Sequence, residues 1–243
     1  MTSELKSKTT FSSNFDINTI ECNTIRNKKI SYIKTDNCIG YFIKNGKFWE
    51  DWMIKYISKF YVNGTNMIDI GANIGTTSLM MSEILSENNY IYTFEPIYSN
   101  VTLKNILDNN LQNKIKLYEY GLGNHNYSLE VDEINYNNTK NFGATSILEL
   151  VNTNTTKTFK INIASLDYFN LDNVSLIKID VENMEIFVLE GAYNLIEKCK
   201  PNILIETHMF EQLINSKIFE KLKLLGYQIE VINEGSNDFI LYI

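Results

Sequence analysis

The sequence predicts an α/β fold built on a Rossmann-like, seven-stranded, mostly parallel sheet. Three observations carry this. From residue 63 onward, short β-branched runs alternate with helix-length amphipathic segments, the pattern of βαβ units. The run Met67-Ile68-Asp69-Ile70 passes directly into Gly71-Ala72-Asn73-Ile74-Gly75, and a helix opens at Thr76. The last two runs, 227–232 and 239–242, are separated by too few residues for a helical crossover, so they pair antiparallel.

Taken in order, residues 1–15 are polar with scattered lysines and read as a flexible tail without the apolar stretch of a signal peptide. Residues 16–62 form a small N-terminal cap. It has β-like runs at 29–34 and 38–43, then a helix over 47–61 with Trp49, Met53, Tyr56, Ile57 and Phe60 on one face. The main domain, 63–243, follows the turn Asn63-Gly64-Thr65. Its strands are expected at 67–70, 90–94, 115–120, 175–179, 203–205, 227–232 and 239–242. Helices are expected at 76–86, 98–109, 184–199 and 210–225, the last stopped by Gly226. An insertion, 121–164, interrupts the alternation. Two more β-like runs, 127–131 and 158–163, enclose an Asn/Thr-rich stretch that is either a substrate-side element or a solvated loop.

Composition excludes several functions. The 243 residues carry a formal net charge of −7, and Arg26 is the sole arginine, which argues against phosphate or base-edge recognition and hence against a nucleic-acid partner. Cys22, Cys38 and Cys199 form no C-x-x-C pair, so neither a disulfide framework nor a zinc ribbon is expected. No window holds 18 consecutive apolar residues, and no membrane span is expected. These features predict a soluble cytoplasmic protein, in the host cytoplasm if the gene is viral. Asn and Ile each make up about a seventh of the chain, a bias that reads first as an AT-rich genome.

The pattern Asp69-x-Gly71-x-Asn73-x-Gly75 differs from the dinucleotide fingerprint, which needs glycine where Asn73 stands. Glycines are required where the chain turns sharply and a ligand nears the backbone. Asp69 can here face the ammonium of a methionine moiety. Glu95, in Phe94-Glu95-Pro96 at the end of the next strand, can accept the two hydroxyls of a ribose. Together these imply a ribonucleoside cofactor.

Asp69-Ile-Gly-Ala-Asn-Ile-Gly75, Phe94-Glu-Pro96, Ser165-Leu-Asp167 and Ile177-Lys-Ile-Asp-Val-Glu182 resemble the FkbM family of S-adenosylmethionine-dependent methyltransferases, as do Leu189-Glu-Gly-Ala192 and the segment from Lys200 to Glu206. The resemblance covers about residues 60–215 and implies a class I methyltransferase fold with strand order 3-2-1-4-5-7-6. It further implies S-adenosyl-L-methionine as cofactor and O-methylation of a sugar, glycan or polyketide-type hydroxyl. The chain departs from the family pattern at Asn183, where glycine is usual; asparagine tolerates the left-handed backbone next best.

Ligands in open α/β sheets bind beyond the carboxyl ends of the strands. The cofactor-binding candidates are therefore Asp69, Gly71, Ala72, Asn73, Gly75, Glu95, Pro96, Gly121, Leu122 and Asp180, with Gly121 and Leu122 at the adenine edge. Methylating an alcohol needs its proton removed. His208 is the first candidate base, Asp180 the second, and Glu206 orients one of them. The plainer alternatives are a surface histidine for His208 and a strand-end cap for Asp180. Glu185 reads as an exposed helix acid and His125 as a loop residue. A divalent metal on Asp180, Glu182 and Glu206 is the minor reading. Gly143-Ala-Thr-Ser-Ile147 either reaches cofactor or acceptor through Thr145 or Ser146, or is an ordered turn. Tyr41, Phe42, Phe48, Trp49 and Trp52 form either a sugar-stacking wall or, at this spacing, core. The expected partner is a carbohydrate or small-molecule alcohol, with the oligomeric state open. Rival readings are a lipid alcohol acceptor, a degenerate cofactor-binding module, and a nicotinamide oxidoreductase, which Asn73 disfavours.

Overall fold

The computed structural model describes residues 20–151, 157–232 and 235–243; the tail expected at 1–15 lies outside them. Strands β1 (Ile20–Ile25) and β2 (Lys28–Ile33) pair antiparallel. Both turn residues between them, Arg26 and Asn27, have positive φ (52° and 60°), which matches the twist of a two-residue hairpin. The run at 38–43, expected as a strand, is instead a helix, Ile39–Lys44. Its start is fixed by Asp36, whose carboxylate accepts from the Cys38 N–H at 2.8 Å, and it buries Ile39 and Ile43 four residues apart. The next helix begins later than expected, at Met53–Phe60, because Glu50 takes φ 50° and turns the chain.

The main domain contributes β3 (Asn66–Ile70), β4 (Ile91–Phe94) and β5 (Ile115–Tyr118), then β6 (Tyr120–Leu122), β7 (Tyr127–Asp132) and β8 (Thr158–Ala164). It ends with β9 (Val174–Ile179), β10 (Asn202–Glu206), β11 (Gln228–Val231) and β12 (Asp238–Tyr242). Seven strands form one sheet in the order β5-β4-β3-β9-β10-β12-β11. Counted along the chain within that sheet, this is 3-2-1-4-5-7-6, with β12 alone running against its neighbours. The central strands β3 and β9 are buried at every position, as a strand covered on both faces must be. The run expected at 115–120 divides at Glu119. β5 stays in the large sheet while β6 leaves it to pair with β8, which also pairs with β7. The insertion thus builds a second sheet beside the strand ends.

Helices Thr76–Ile84 and Ser99–Asp108 follow β3 and β4. The two longer helices expected downstream are each broken, into Glu185–Gly191 with Tyr193–Cys199, and Phe210–Ile214 with Lys217–Leu224. In the second case Ser216 accepts from the Phe219 N–H at 3.2 Å and starts a new helix. Alternation along β3 sends Met67 into one buried cluster, with Leu79, Met80 and Ile57, and Ile68 and Ile70 into the other, with Ile177, Val188 and Leu222. The cap shares the first cluster. Buried Asn105 ties it down: its Oδ1 accepts from the Ser31 N–H at 2.6 Å, and its Nδ2 donates to the Ser31 carbonyl at 3.0 Å and the Ile74 carbonyl at 2.7 Å. Among the described residues no helix is long and apolar enough to cross a membrane.

Candidate active site

The site forms where β3, β4, β9 and β10 end. After β3 the chain reverses through Gly71 (φ 76°), Asn73 (φ 52°) and Gly75 (φ 88°), conformations that glycine and asparagine adopt at least cost. Gly71 is also sterically required, because a Cβ there would lie 1.7 Å from the Asp180 carbonyl oxygen. The N–H groups of Gly71 and Ala72 donate to the Phe94 carbonyl, and the Asp180 N–H donates to Ile70. Three strand ends are thereby fixed to one another.

Glu95 is buried, and both of its carboxylate oxygens accept from backbone. Its Oε2 accepts from the Asn73 N–H at 2.8 Å, and its Oε1 accepts from Ile97 at 2.6 Å and Tyr98 at 2.9 Å. It therefore clamps the glycine turn to the start of the next helix. Burial pushes its carboxyl up to about 7 against the pull of those donors.

A cavity opens over this turn. Gly71, Asn73, Glu95, Pro96, Gly121, Leu122, Asp180 and Glu206 all line it. Asn141, Gly143 and Thr145 of the insertion close one side, and Ile39 and Trp49 of the cap another. Phe142 is wholly buried against Ile33 and Tyr98, so the Asn/Thr-rich segment here is held down and faces the cavity. Ser146 donates to the Glu182 carbonyl at 2.8 Å, and Thr145 meets the Tyr98 hydroxyl at 2.8 Å.

The family model described as the methyltransferase FkbM domain matches residues 69–229, more than half of the chain. The chain belongs to the FkbM methyltransferase family. Among solved structures it is similar to the methyltransferase FkbM from Methylobacillus flagellatus, with 17% identity, 78% of this chain and 50% of that one covered, and a TM-score of 0.52. This chain thus spans half the length of that protein. Precorrin-6y C5,15-methyltransferase from Geobacter metallireducens is also similar, at 17% identity, with 79% and 86% covered and a TM-score of 0.47. Comparison with curated proteins gives no match.

Several sequence-derived candidates occupy different places in this FkbM domain. Asp69 does not line the cavity. It shares the face of Met67, is fully buried, and accepts from Ser78 Oγ at 2.5 Å. Ala72 and Gly75 shape the turn from beneath. His208 is exposed, lies outside the cavity lining and bonds Asn237 at 2.8 Å. Glu185, expected to be exposed, is 2% exposed; it accepts from the Asn183 N–H at 3.0 Å and from Thr207 at 3.2 Å. Those bonds support the family departure, since Asn183 adopts φ 75°.

The carboxylates that converge among the described residues are Glu50, Glu206 and Asp238, whose oxygens lie within 4.8 Å of one another, in place of the expected Asp180, Glu182 and Glu206. Burial and neighbouring carboxylates push Glu206 up to about 8; burial, with Asp180, brings Glu182 to about 7; burial also brings Glu50 to about 7. Among the described residues the buried cation of the site is Lys178, which composition and motif spacing do not single out. Its Nζ donates to Asp180 Oδ2 at 3.0 Å and to the Gly71 carbonyl at 3.2 Å. Burial opposes its charge, yet Asp180, Asp69 and Glu50 hold the ammonium above its ordinary range. A lysine inside the apolar run Leu176-Ile177-Lys178-Ile179 was the available signal, because a cation there needs buried partners.

Proposed function

We propose that the chain is an S-adenosylmethionine-dependent O-methyltransferase acting on a hydroxyl of a sugar or glycan. The observation that carries the reading is the presence of Glu206 and Asp180 in the same cavity as the Gly71–Gly75 turn and Glu95. The residues fit the cofactor. The left-handed glycine turn packs tightly on Asp180 and Thr102, the helix Thr76–Ile84 starts at that turn, and Glu95 Oε2, with one backbone donor, retains capacity to accept a ribose hydroxyl. Pro96, Gly121 and Leu122 supply an apolar edge for a purine ring. When bound, S-adenosylmethionine supplies an electrophilic methyl group on a sulfonium.

The chain's own groups handle the acceptor. Glu206, with its carboxyl raised to about 8, is matched to take a hydroxyl proton near neutral pH, since a general base works best when its pKa lies close to the operating pH. Asp180 is fixed through Oδ2 on Lys178, which leaves its other oxygen to orient the same hydroxyl. Cap residues Ile39 and Trp49 and insertion residue Thr145 cover the cavity and keep water from competing with the acceptor. The acidic surroundings suit a cationic cofactor and an uncharged acceptor.

Thermal melting tests the cofactor. S-adenosylhomocysteine is expected to raise the melting temperature and NAD to leave it unchanged; the reverse result contradicts the reading.

A further inference from the structure

Beside the cofactor cavity lies a second depression of about 730 Å³, formed by the cap and the last strand. Its volume falls in the range of about 300–1,000 Å³ that small-molecule sites occupy. Trp49 lines both cavities, so the two adjoin at its ring. Phe42, Phe48 and Trp52 complete an aromatic lining. The Phe42 and Trp49 rings meet edge to face at 5.1 Å and 82°, which fixes their orientation, and Phe42 remains 38% exposed. Glu50 and Asp238 belong to this groove, and their oxygens lie within 4.8 Å of those of Glu206 in the first cavity.

We propose that this aromatic groove is the acceptor subsite, and that it takes a sugar ring bearing no acid group and presents one of its hydroxyls to Glu206. The inference rests on the methyltransferase reading above and adds the place and chemistry of the acceptor. A sugar ring has an apolar C–H face and a polar rim; the aromatic lining matches the first, and the carboxylates of Glu50 and Asp238 accept hydrogen bonds from the second. A lipid tail would need an unbroken apolar lining, which Glu50, Asp51 and Asp238 interrupt. An acidic or phosphorylated ring meets those same carboxylates. The groove's Arg26 gives no counter-charge, because it is already paired with Asp51 and Glu83 and lies 5.7 Å over the Phe48 ring.

The chain has two tryptophans, Trp49 and Trp52, and both line the groove, so intrinsic fluorescence reports on its occupancy. The test titrates methyl glycosides of glucose, galactose, mannose, fucose and N-acetylglucosamine, with glucuronic acid as the acidic control, into the full chain loaded with S-adenosylhomocysteine. At least one neutral glycoside is expected to change the emission saturably, glucuronic acid is expected not to, and F42A is expected to weaken binding about tenfold. Phe42 is exposed enough for truncation to spare the core, and E50Q provides a second variant, expected to weaken binding without removing an aromatic ring. Silence with every neutral glycoside, equal binding of glucuronic acid, or unchanged affinity in both variants overturns the proposal. Labelled-methyl transfer separates the two readings. A glycoside that binds the groove but is never methylated contradicts the reaction, whereas a methylated glycoside whose KM is unchanged in F42A and E50Q contradicts the groove.

Discussion

Lys178 Nζ lies 3.0 Å from Asp180 Oδ2, and in the pairing of β9 with β3 Lys178 stands directly opposite Asp69. One buried ammonium therefore serves two carboxylates and also holds the Gly71 carbonyl at 3.2 Å. Replacing it with methionine leaves Asp69 and Asp180 without their counter-charge. Removing one member of a buried charge set costs about 3–5 kcal/mol, so Lys178→Met is expected to lose stability of that order in urea unfolding. Weaker S-adenosylhomocysteine binding should accompany the loss, because the same lysine braces the glycine turn.

The turn itself offers a sharper contrast. Gly71→Ala places a methyl group 1.7 Å from the Asp180 carbonyl oxygen and is expected to abolish cofactor binding. Asn183→Gly should change stability by under about 1 kcal/mol, since φ 75° is already accommodated and glycine prefers it. Asn183→Ala should cost about 1–2 kcal/mol for forcing an ordinary side chain into that region. Calorimetry and melting curves on the three variants check these values.

Glu95 joins three backbone donors from both sides of the turn. Glu95→Ala is expected to weaken S-adenosylhomocysteine about thirtyfold, corresponding to about 2 kcal/mol for charge-assisted hydrogen bonds. Unchanged affinity by titration calorimetry would remove both the clamp and the ribose assignment.

Stability should fall as pH rises. Glu95 and Glu50 are raised from 4.5 to about 7, and Glu206 to about 8, chiefly by burial. Between about pH 4.5 and 8 the folded state thus holds more protons than the unfolded state, so unfolding free energy drops through that window. For Glu95 alone the loss is about 3 kcal/mol. Melting of the ligand-free protein at pH 5 and pH 8 checks the sign. Turnover should run the opposite way, rising as Glu206 ionises.

The sheet was legible because its strands are β-branched runs at regular intervals, and the short link before β12 dictated the final antiparallel pairing. The cavity-lining positions Gly71, Asn73, Glu95, Gly121 and Asp180 followed from the rule that sites lie at strand ends. The burial of Asp69 was readable from its period: flanked by Ile68 and Ile70, it shares the face of Met67. The helix at Ile39–Lys44 was hidden because Ile, Tyr and Phe suit a strand as well, and only the turn in which Asp36 accepts from the Cys38 N–H decides. Glu50 and Asp238 could not be paired from spacing. One enters through a left-handed residue and the other starts the last strand, so only the closed fold brings them together. The asparagine excess also carries structure, for Asn105 in the helix Ser99–Asp108 and Asn109 at its C-terminal end bond the backbone of β2.

Asp180→Asn and Glu206→Gln separate orientation from proton acceptance. Each is expected to lower turnover by about 10²–10⁴-fold while cofactor affinity stays within about threefold. Only Glu206→Gln should flatten the rise of rate with pH through about 8. A steady-state pH profile of both variants checks this.

Labelled-methyl transfer from S-adenosylmethionine onto neutral glycosides and oligosaccharides tests the central claim most directly. The account predicts a stable methyl ether on a sugar hydroxyl, formed by the intact chain and reduced at least a hundredfold by Glu206→Gln. Label appearing on a lipid or polyketide alcohol and on no sugar, or undiminished transfer by Glu206→Gln, would contradict it.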